Sequence, residues 1–160
     1  MRTRCLSALC LSILVAACMR GEARRDSSAG AVDTARTATA GDAGAALLRS
    51  VAGKWNMVAR PTAGRDSTPT RVTLNATGDT AGWTMVLGGQ TVALHVRVSG
   101  DTIITSSDPY SSVRREGVTV RTVSSHRLDG DRLVGTTVAH YMVKGADSVL
   151  VLNTTATRAP

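Results

Sequence analysis

From Lys54 to Arg158, apolar and polar residues alternate with a period of two, and this pattern restricts the fold more than any other feature. Successive side chains of a β-strand point to opposite faces, so the alternation predicts strands that each bury one face. The sequence contains eight such segments: 55–60, 71–77, 83–87, 92–98, 102–105, 118–128, 132–143 and 149–158. A core of Val, Ala and Leu without Phe also suits strands better than helices. We therefore predict an all-β domain.

Short turn sequences separate most of these segments. They combine Gly and Asp, which supply the positive φ angles and local hydrogen bonds of tight hairpins. The turns are Thr77-Gly78-Asp79, Gly88-Gly89, Ser99-Gly100-Asp101, Asp129-Gly130-Asp131 and Gly145-Ala146-Asp147, and the longer links are 61–69 and 106–117. Links this short exclude crossover helices, so we predict an antiparallel meander that closes into an eight-stranded up-and-down barrel. An eight-stranded β-sandwich is the alternative.

The first 17 residues have a different character. Arg2 and Arg4 precede an apolar run over residues 6–17, which ends in small residues before Cys18. A charged start, a short apolar run and small residues at its end are typical of a secretory signal peptide. The run is shorter than the roughly 20 residues that a membrane-spanning helix needs. We therefore predict a signal peptide over residues 1–17.

The four residues Val15-Ala16-Ala17-Cys18 resemble the lipobox of bacterial lipoproteins. The resemblance implies cleavage before Cys18 and attachment of fatty-acyl chains such as palmitate to that residue. It also implies a protein anchored in the bacterial cell envelope. In the enterobacterial sorting scheme Asp after the cysteine favours the inner membrane, so Met19 implies the outer membrane, facing the periplasm.

Between the cysteine and the strands the sequence predicts two local features. Residues 18–44 form a tether, because a segment of Ala, Gly, Thr, Ser, Arg and Asp buries too little surface to order itself. Residues 45–52 predict a helix of one or two turns, which Gly53 ends. The barrel domain is thus predicted over residues 45–160.

The net charge of +7 does not by itself indicate a nucleic-acid site. The basic residues are scattered along the predicted strands, which is typical of a solvated surface with some attraction to anionic lipid. The three cysteines are Cys5, Cys10 and Cys18, all in the leader or at the anchor. The mature domain is therefore expected to contain no disulfide, thiol nucleophile or cysteine metal site.

Gly53-Lys54-Trp55 stands where the predicted helix meets the first strand, and it resembles the G-x-W signature of lipocalins and related small barrels. The resemblance covers the architecture from Gly53 to Arg158. It implies that Trp55 plugs the closed end of the barrel and that Arg158, from the last strand, packs over the Trp55 ring. A cation over an indole ring stabilises by roughly 0.5–2 kcal/mol.

The interior of such a barrel suggests two non-enzymatic functions. Met57, Leu74, Met85, Leu94 and Val96 would form an apolar wall for a small apolar or amphipathic ligand, in a cavity of roughly 300 Å³ or more. Alternatively, the protein has a structural or interaction role and its own side chains fill the barrel, because eight strands leave an interior just wide enough for them. No G-x-S-x-G motif or predicted acid/base pair indicates an enzyme, and no cofactor is predicted.

The sixth and seventh strands contain polar residues that interrupt the alternation. These are Thr122, Ser124, Ser125, His126, Gly135, Thr136, Thr137 and His140. Three interpretations remain open: an exposed or bulged corner, a different register, or a polar inner wall that orients a ligand.

Two histidines in these strands could suggest a metal site. A two-residue turn at Asp129-Gly130 would place His126 opposite Leu133 and His140 opposite Thr119. The histidines would then lie roughly 24 Å apart along the ladder, so they are not expected to share a metal ion.

Overall fold

The structure is a computed structural model that describes residues 40–64, 66–145 and 148–160. The signal peptide, Cys18 and most of the predicted tether lie outside the described residues. The elements are α1 (Ala40–Val51), β1 (Gly53–Pro61), β2 (Thr70–Ala76), β3 (Thr84–Leu87), β4 (Gln90–Ser99), β5 (Thr102–Ser107), β6 (Tyr110–Ser111), β7 (Thr119–Asp129), β8 (Arg132–Tyr141) and β9 (Val149–Arg158). Within these ranges no helix has the length and apolarity needed to cross a bilayer.

The strands form a closed antiparallel barrel, as the alternation and the short turns predict. Sheet order runs β5-β4-β3-β2-β1-β9-β8-β7-β6, and an additional pairing of β5 with β7 closes it. The two-residue strand β6 only extends the edge of β7, so eight strands make up the barrel. The β5–β7 pairing rules out the sandwich alternative, which would leave these edges open.

Helix α1 covers one end of the barrel, which we call the closed end. Leu48 and Val51 of the helix belong to the same buried cluster as Trp55, Ile103 and Leu133. Strand β1 runs from this end to Pro61 at the other, the open end, where β2 begins. The larger apolar cluster therefore reaches the closed end of the barrel, and a second, smaller cluster of Ala59, Val120, Ala139, Tyr141 and Leu152 lies towards the open end.

The helix is longer than predicted. It spans 12 residues from Ala40, whereas the sequence pattern predicts one or two turns over 45–52. Alanines with high helix propensity extend it, and Asp42 in the first turn interacts favourably with the helix dipole. Residues 40–44, predicted as tether, are therefore helical. Gly53, with φ of +130°, follows the helix end.

Trp55 lies at the centre of the closed end. Its side chain is fully buried, and its Nε1 donates a hydrogen bond of 2.8 Å to the carbonyl oxygen of Val51. The Arg158 guanidinium carbon lies 4.4 Å from the centroid of the Trp55 ring. Arg158 also donates hydrogen bonds to the carbonyl oxygens of Ser50 and Ala52, on either side of the last helical residue, Val51. This is the arrangement that the G-x-W resemblance implies.

The register of β7 with β8 differs from the prediction by two residues. Asp129 pairs with Arg132, so the central turn residues are Gly130 and Asp131. Hairpin turns of types I′ and II′ need a positive φ at the first central residue, and Gly130 provides it with φ of +58°. A shift of two residues changes the cross-strand partners and keeps every side chain on its predicted face.

Candidate functional site

The open half of the barrel contains a cavity of about 70 Å³. Most of its apolar lining comes from β1 to β4 and consists of Met57, Val72, Leu74, Met85, Leu87 and Leu94; Ala59, Val120, Ala139 and Leu152, on β1, β7, β8 and β9, add a smaller apolar part. Its polar wall comes from β5, β7 and β8 and consists of Thr105, Thr122, Ser124, His126 and Thr137. The period of two places both sets on the inner face of their strands, so the cavity has chemically different sides.

Four of the five predicted wall residues line this cavity, namely Met57, Leu74, Met85 and Leu94. The fifth, Val96, does not belong to the lining. It is half-buried and packs against the core cluster, because it lies two residues further along β4 towards the closed end.

The cavity is smaller than a ligand-binding barrel was expected to provide. Its volume is about 70 Å³, whereas roughly 300 Å³ or more was expected. The side chains of Met57, Met85 and Leu87, with Tyr110 and Tyr141 near the open end, occupy the remaining interior. A water molecule needs roughly 10–15 Å³ of such volume, so the space suits a few waters.

The polar residues of β7 and β8 divide between the two faces. Thr122, Ser124, His126 and Thr137 are buried on the inner face, whereas Ser125 and His140 are exposed on the outer one. The first four therefore form a polar inner wall, and the exposed-corner interpretation is wrong for them; that this wall orients a ligand stays a prediction. Thr105 of this wall was not predicted from the sequence, nor were Ser107 and Thr154, which are buried beside it, although each continues an inward alternation in β5 or β9.

The polar wall is held together by its own hydrogen bonds. Ser124 Oγ and Thr137 Oγ1 lie 2.7 Å apart, and His126 Nε2 lies 2.9 Å from Thr154 Oγ1. Ser107 Oγ accepts a hydrogen bond of 2.9 Å from the backbone N–H of Thr122. Within the described ranges every buried side-chain nitrogen or oxygen has a partner. The hydroxyl groups are thus already oriented, which suits a site that recognises polar groups.

His126 is the most deeply buried ionisable group of the polar wall, with 4% of its surface exposed. Burial lowers the pKa of its imidazole from 6.5 to about 4, because a charged ring would lose its hydration. At neutral pH His126 is therefore uncharged.

This burial predicts a pH dependence of stability. The unfolded chain binds a proton at His126 below pH 6.5, and the folded chain resists it down to about pH 4. The free energy of unfolding is therefore unaffected by His126 above pH 6.5. It falls by about 3 kcal/mol as the pH is lowered to 4, because the unfolded chain takes up the proton first. Urea unfolding at pH 7 and pH 4 would measure it. In His126→Gln this part of the pH dependence should disappear, and an unchanged profile in that variant would contradict the assignment.

The segment 108–118, which we call the strap, crosses the open end of the barrel. Arg114 anchors it by donating hydrogen bonds to the carbonyl oxygen of Thr68, at 2.6 Å, and to Thr70 Oγ1, at 3.1 Å. It also forms an ion pair of 2.5 Å with Asp66. The Arg114 side chain is 13% exposed and the Asp66 side chain 63%, so only the arginine half of the pair is shielded from solvent.

The strap covers a split in the barrel wall. Pairing of β2 with β3 is confined to residues 73–75 of β2, so the stretch from Thr70 to Val72 has no partner on that side. Val113 of the strap lies against Gly88, where a Cβ would approach within 2.5 Å of Val113 Cγ1. An open cleft at this place shares Met57, Val72 and Leu87 with the inner cavity. The split therefore lies between the cavity and an open cleft on the barrel surface.

Tyr110 of the strap and Tyr141 of β8 line the cavity on its strap side. Burial raises the pKa of Tyr110 to about 12, and Thr122 is its hydrogen-bond partner. The Arg115 guanidinium carbon lies 3.9 Å from the centroid of the buried Tyr141 ring. The Tyr110 phenol is therefore uncharged at neutral pH, and both rings line the cavity on the strap side.

The predicted separation of Ser125 from His126, and of His126 from His140, can be read from the strand faces. Ser125 is on the outer face and His126 on the inner, as strand geometry predicts. His126 pairs with Gly135 and the outward His140 with Arg121, so the two histidines lie on opposite faces. In the ranges that the structure describes, no group of three His, Cys, Asp or Glu side chains could hold a metal ion.

The chain matches no protein-family description, no curated protein and no solved structure. Its candidate site is therefore defined by its own geometry: a small two-sided cavity beneath the strap.

Proposed function

We propose that this chain is a lipid-anchored protein of the bacterial cell envelope whose barrel binds a small amphipathic molecule. The observation that carries the proposal is the two-sided cavity. A binding site of this kind needs apolar surface for affinity and a few oriented polar groups for specificity. Met57, Leu74 and Met85 supply the first, and Ser124 and Thr137 supply the second.

The size of the cavity limits the ligand. The present volume of about 70 Å³ holds a few waters or a ligand of only a few heavy atoms. A larger ligand requires the strap to move away from the split or the methionine side chains to rearrange. Met57 and Met85 are suited to this because an unbranched thioether adapts its rotamers to different occupants.

The anchor is proposed from the sequence alone, since Cys18 lies outside the described residues. Its resemblance to a lipobox supports lipid attachment, and Met19 directly after it supports the outer membrane, facing the periplasm. Incorporation of labelled palmitate into the full chain, and its loss in Cys18→Ser, would test the attachment. Unchanged labelling in Cys18→Ser would contradict it.

Native mass spectrometry tests the binding function. The full chain is extracted from the membranes of a bacterial host, and the mass of any retained molecule is measured. Ala139→Leu should reduce the retained fraction at least fivefold, because Ala139 lines the cavity and a larger side chain would fill it.

Ala93→Leu is the matched control, because Ala93 is exposed on the outer face of β4 and should leave retention unchanged. Equal retention in the two variants would show that the bound molecule lies outside the cavity.

A second candidate function follows from the small cavity volume. A barrel filled by its own side chains suits a structural or interaction lipoprotein, whose outer surface meets another envelope component. The same experiment separates the candidates. A chain that retains no molecule, and gives identical spectra in both variants, favours the filled barrel.

A further inference from the structure

The charges around the cavity restrict the chemical class of the ligand. Among the described residues that line it, Arg114 alone has a permanent charge. Its guanidinium group is already paired with the Asp66 carboxylate and donates to the Thr68 carbonyl and the Thr70 hydroxyl. An anionic ligand group would have to displace these partners, and a cationic group would meet no carboxylate on the lining.

Among the described residues, none that lines the deeper part of the cavity is charged at neutral pH. His126 is uncharged there, and its Nε2 is engaged with Thr154. Burying a carboxylate or an ammonium group among aliphatic side chains is strongly unfavourable unless an opposite charge compensates it. The cavity therefore disfavours both signs of charge.

The hydroxyl pair Ser124–Thr137 keeps hydrogen-bonding capacity for a neutral group. Each hydroxyl has one hydrogen to donate and two lone pairs. Only one hydrogen is used in the contact of 2.7 Å between them, so the pair retains a donor as well as acceptors. A hydroxyl or carbonyl group of a ligand can use that capacity without charge.

We propose that the preferred ligand is an uncharged amphiphile, with an alkyl part against Met57, Leu74 and Met85 and a hydroxyl or carbonyl group hydrogen-bonded to Ser124 and Thr137. This inference rests on the proposed binding function. It distinguishes the site from one that captures fatty-acid anions or cationic amines.

Isothermal titration of the unlipidated full chain (Cys18→Ser) at pH 7 tests it with three probes of equal chain length. These are 1-hexanol, hexanoate and hexylammonium, of which the last two are ionised at this pH. We expect 1-hexanol to bind at least tenfold more tightly than either ion. Comparable or tighter binding of one ion would overturn the inference and leave the binding function in place. Absence of binding by all three would overturn both.

Paired variants locate the polar contact. Ser124→Ala/Thr137→Val removes the inner hydroxyl pair and should weaken 1-hexanol binding at least fivefold. Ser125→Ala/Thr136→Val changes the same residue types one position along each strand, on the opposite face, and should alter it less than twofold. Equal affinity in the two double variants would overturn the assignment of Ser124 and Thr137. If the inner double variant does not fold, the nearly isosteric Thr137→Val alone serves, with an expected weakening of at least twofold.

Discussion

Replacing Trp55 with alanine is expected to lower the free energy of unfolding by about 3–5 kcal/mol. The indole is fully buried at the closed end, so its removal leaves a cavity between helix and barrel. The Val51 carbonyl loses its hydrogen bond, and Arg158 loses the ring over which it lies. Equilibrium unfolding in urea measures the change.

Two comparison variants sharpen this prediction. Trp55→Phe keeps much of the packing and loses the hydrogen bond to Val51, so its cost should be smaller than that of Trp55→Ala. Asn56→Ala, on the exposed neighbouring residue, should change stability by less than about 0.5 kcal/mol. A loss below about 1 kcal/mol in Trp55→Ala would show that the indole does not hold the closed end together.

Replacing Gly135 with alanine is expected to cost about 4 kcal/mol or more. A Cβ at this position would overlap the carbonyl oxygen of Ser125 and lie 2.9 Å from Cα of His126. The neighbours are backbone atoms of the paired strand β7, so no side-chain rotation can relieve the overlap. Strands β7 and β8 would have to separate beside His126, and the polar wall would be disrupted.

Gly44→Ala is the matched control for this change. Gly44 lies inside α1, and a Cβ there would lie 3.5 Å from Val98 Cγ1, which is an ordinary contact. Removing a helical glycine should raise the free energy of unfolding by about 0.5–1 kcal/mol. If both variants lose stability equally, or if Gly135→Ala loses less than about 1 kcal/mol, the close approach of β7 and β8 is wrong.

The strand faces could be predicted because they depend on a local period. Residues such as Met57 and Leu74 face inwards wherever their strands pair, so register errors of two residues leave them in place. The pattern also predicted barrel closure, because the meander had two edges to cover. The β7–β8 partners were wrong because Asp-Gly-Asp allows two positions for the central turn, and only the φ angle of Gly130 separates them.

The site could be predicted only in part, for a different physical reason. Arg114 and Asp66 are separated by 48 residues in two long links, and no local pattern indicates their contact. The cavity volume depends on how the methionine and tyrosine side chains pack, which the alternation does not specify. Helix α1 was predicted too short because its first residues, small and without large apolar side chains, have the composition of a tether.

The most direct test of the account is whether the inner cavity accepts a small amphipathic molecule. The full chain labelled with ¹³C at its methionine methyl groups offers internal probes, since Met57 and Met85 line the cavity and Met142 is exposed outside it. Titration with 1-hexanol should shift the Met57 and Met85 methyl resonances together and saturably, and should leave Met142 unchanged. Constant Met57 and Met85 resonances, or shifts of equal size at Met142, would contradict the account and indicate a barrel filled by its own side chains.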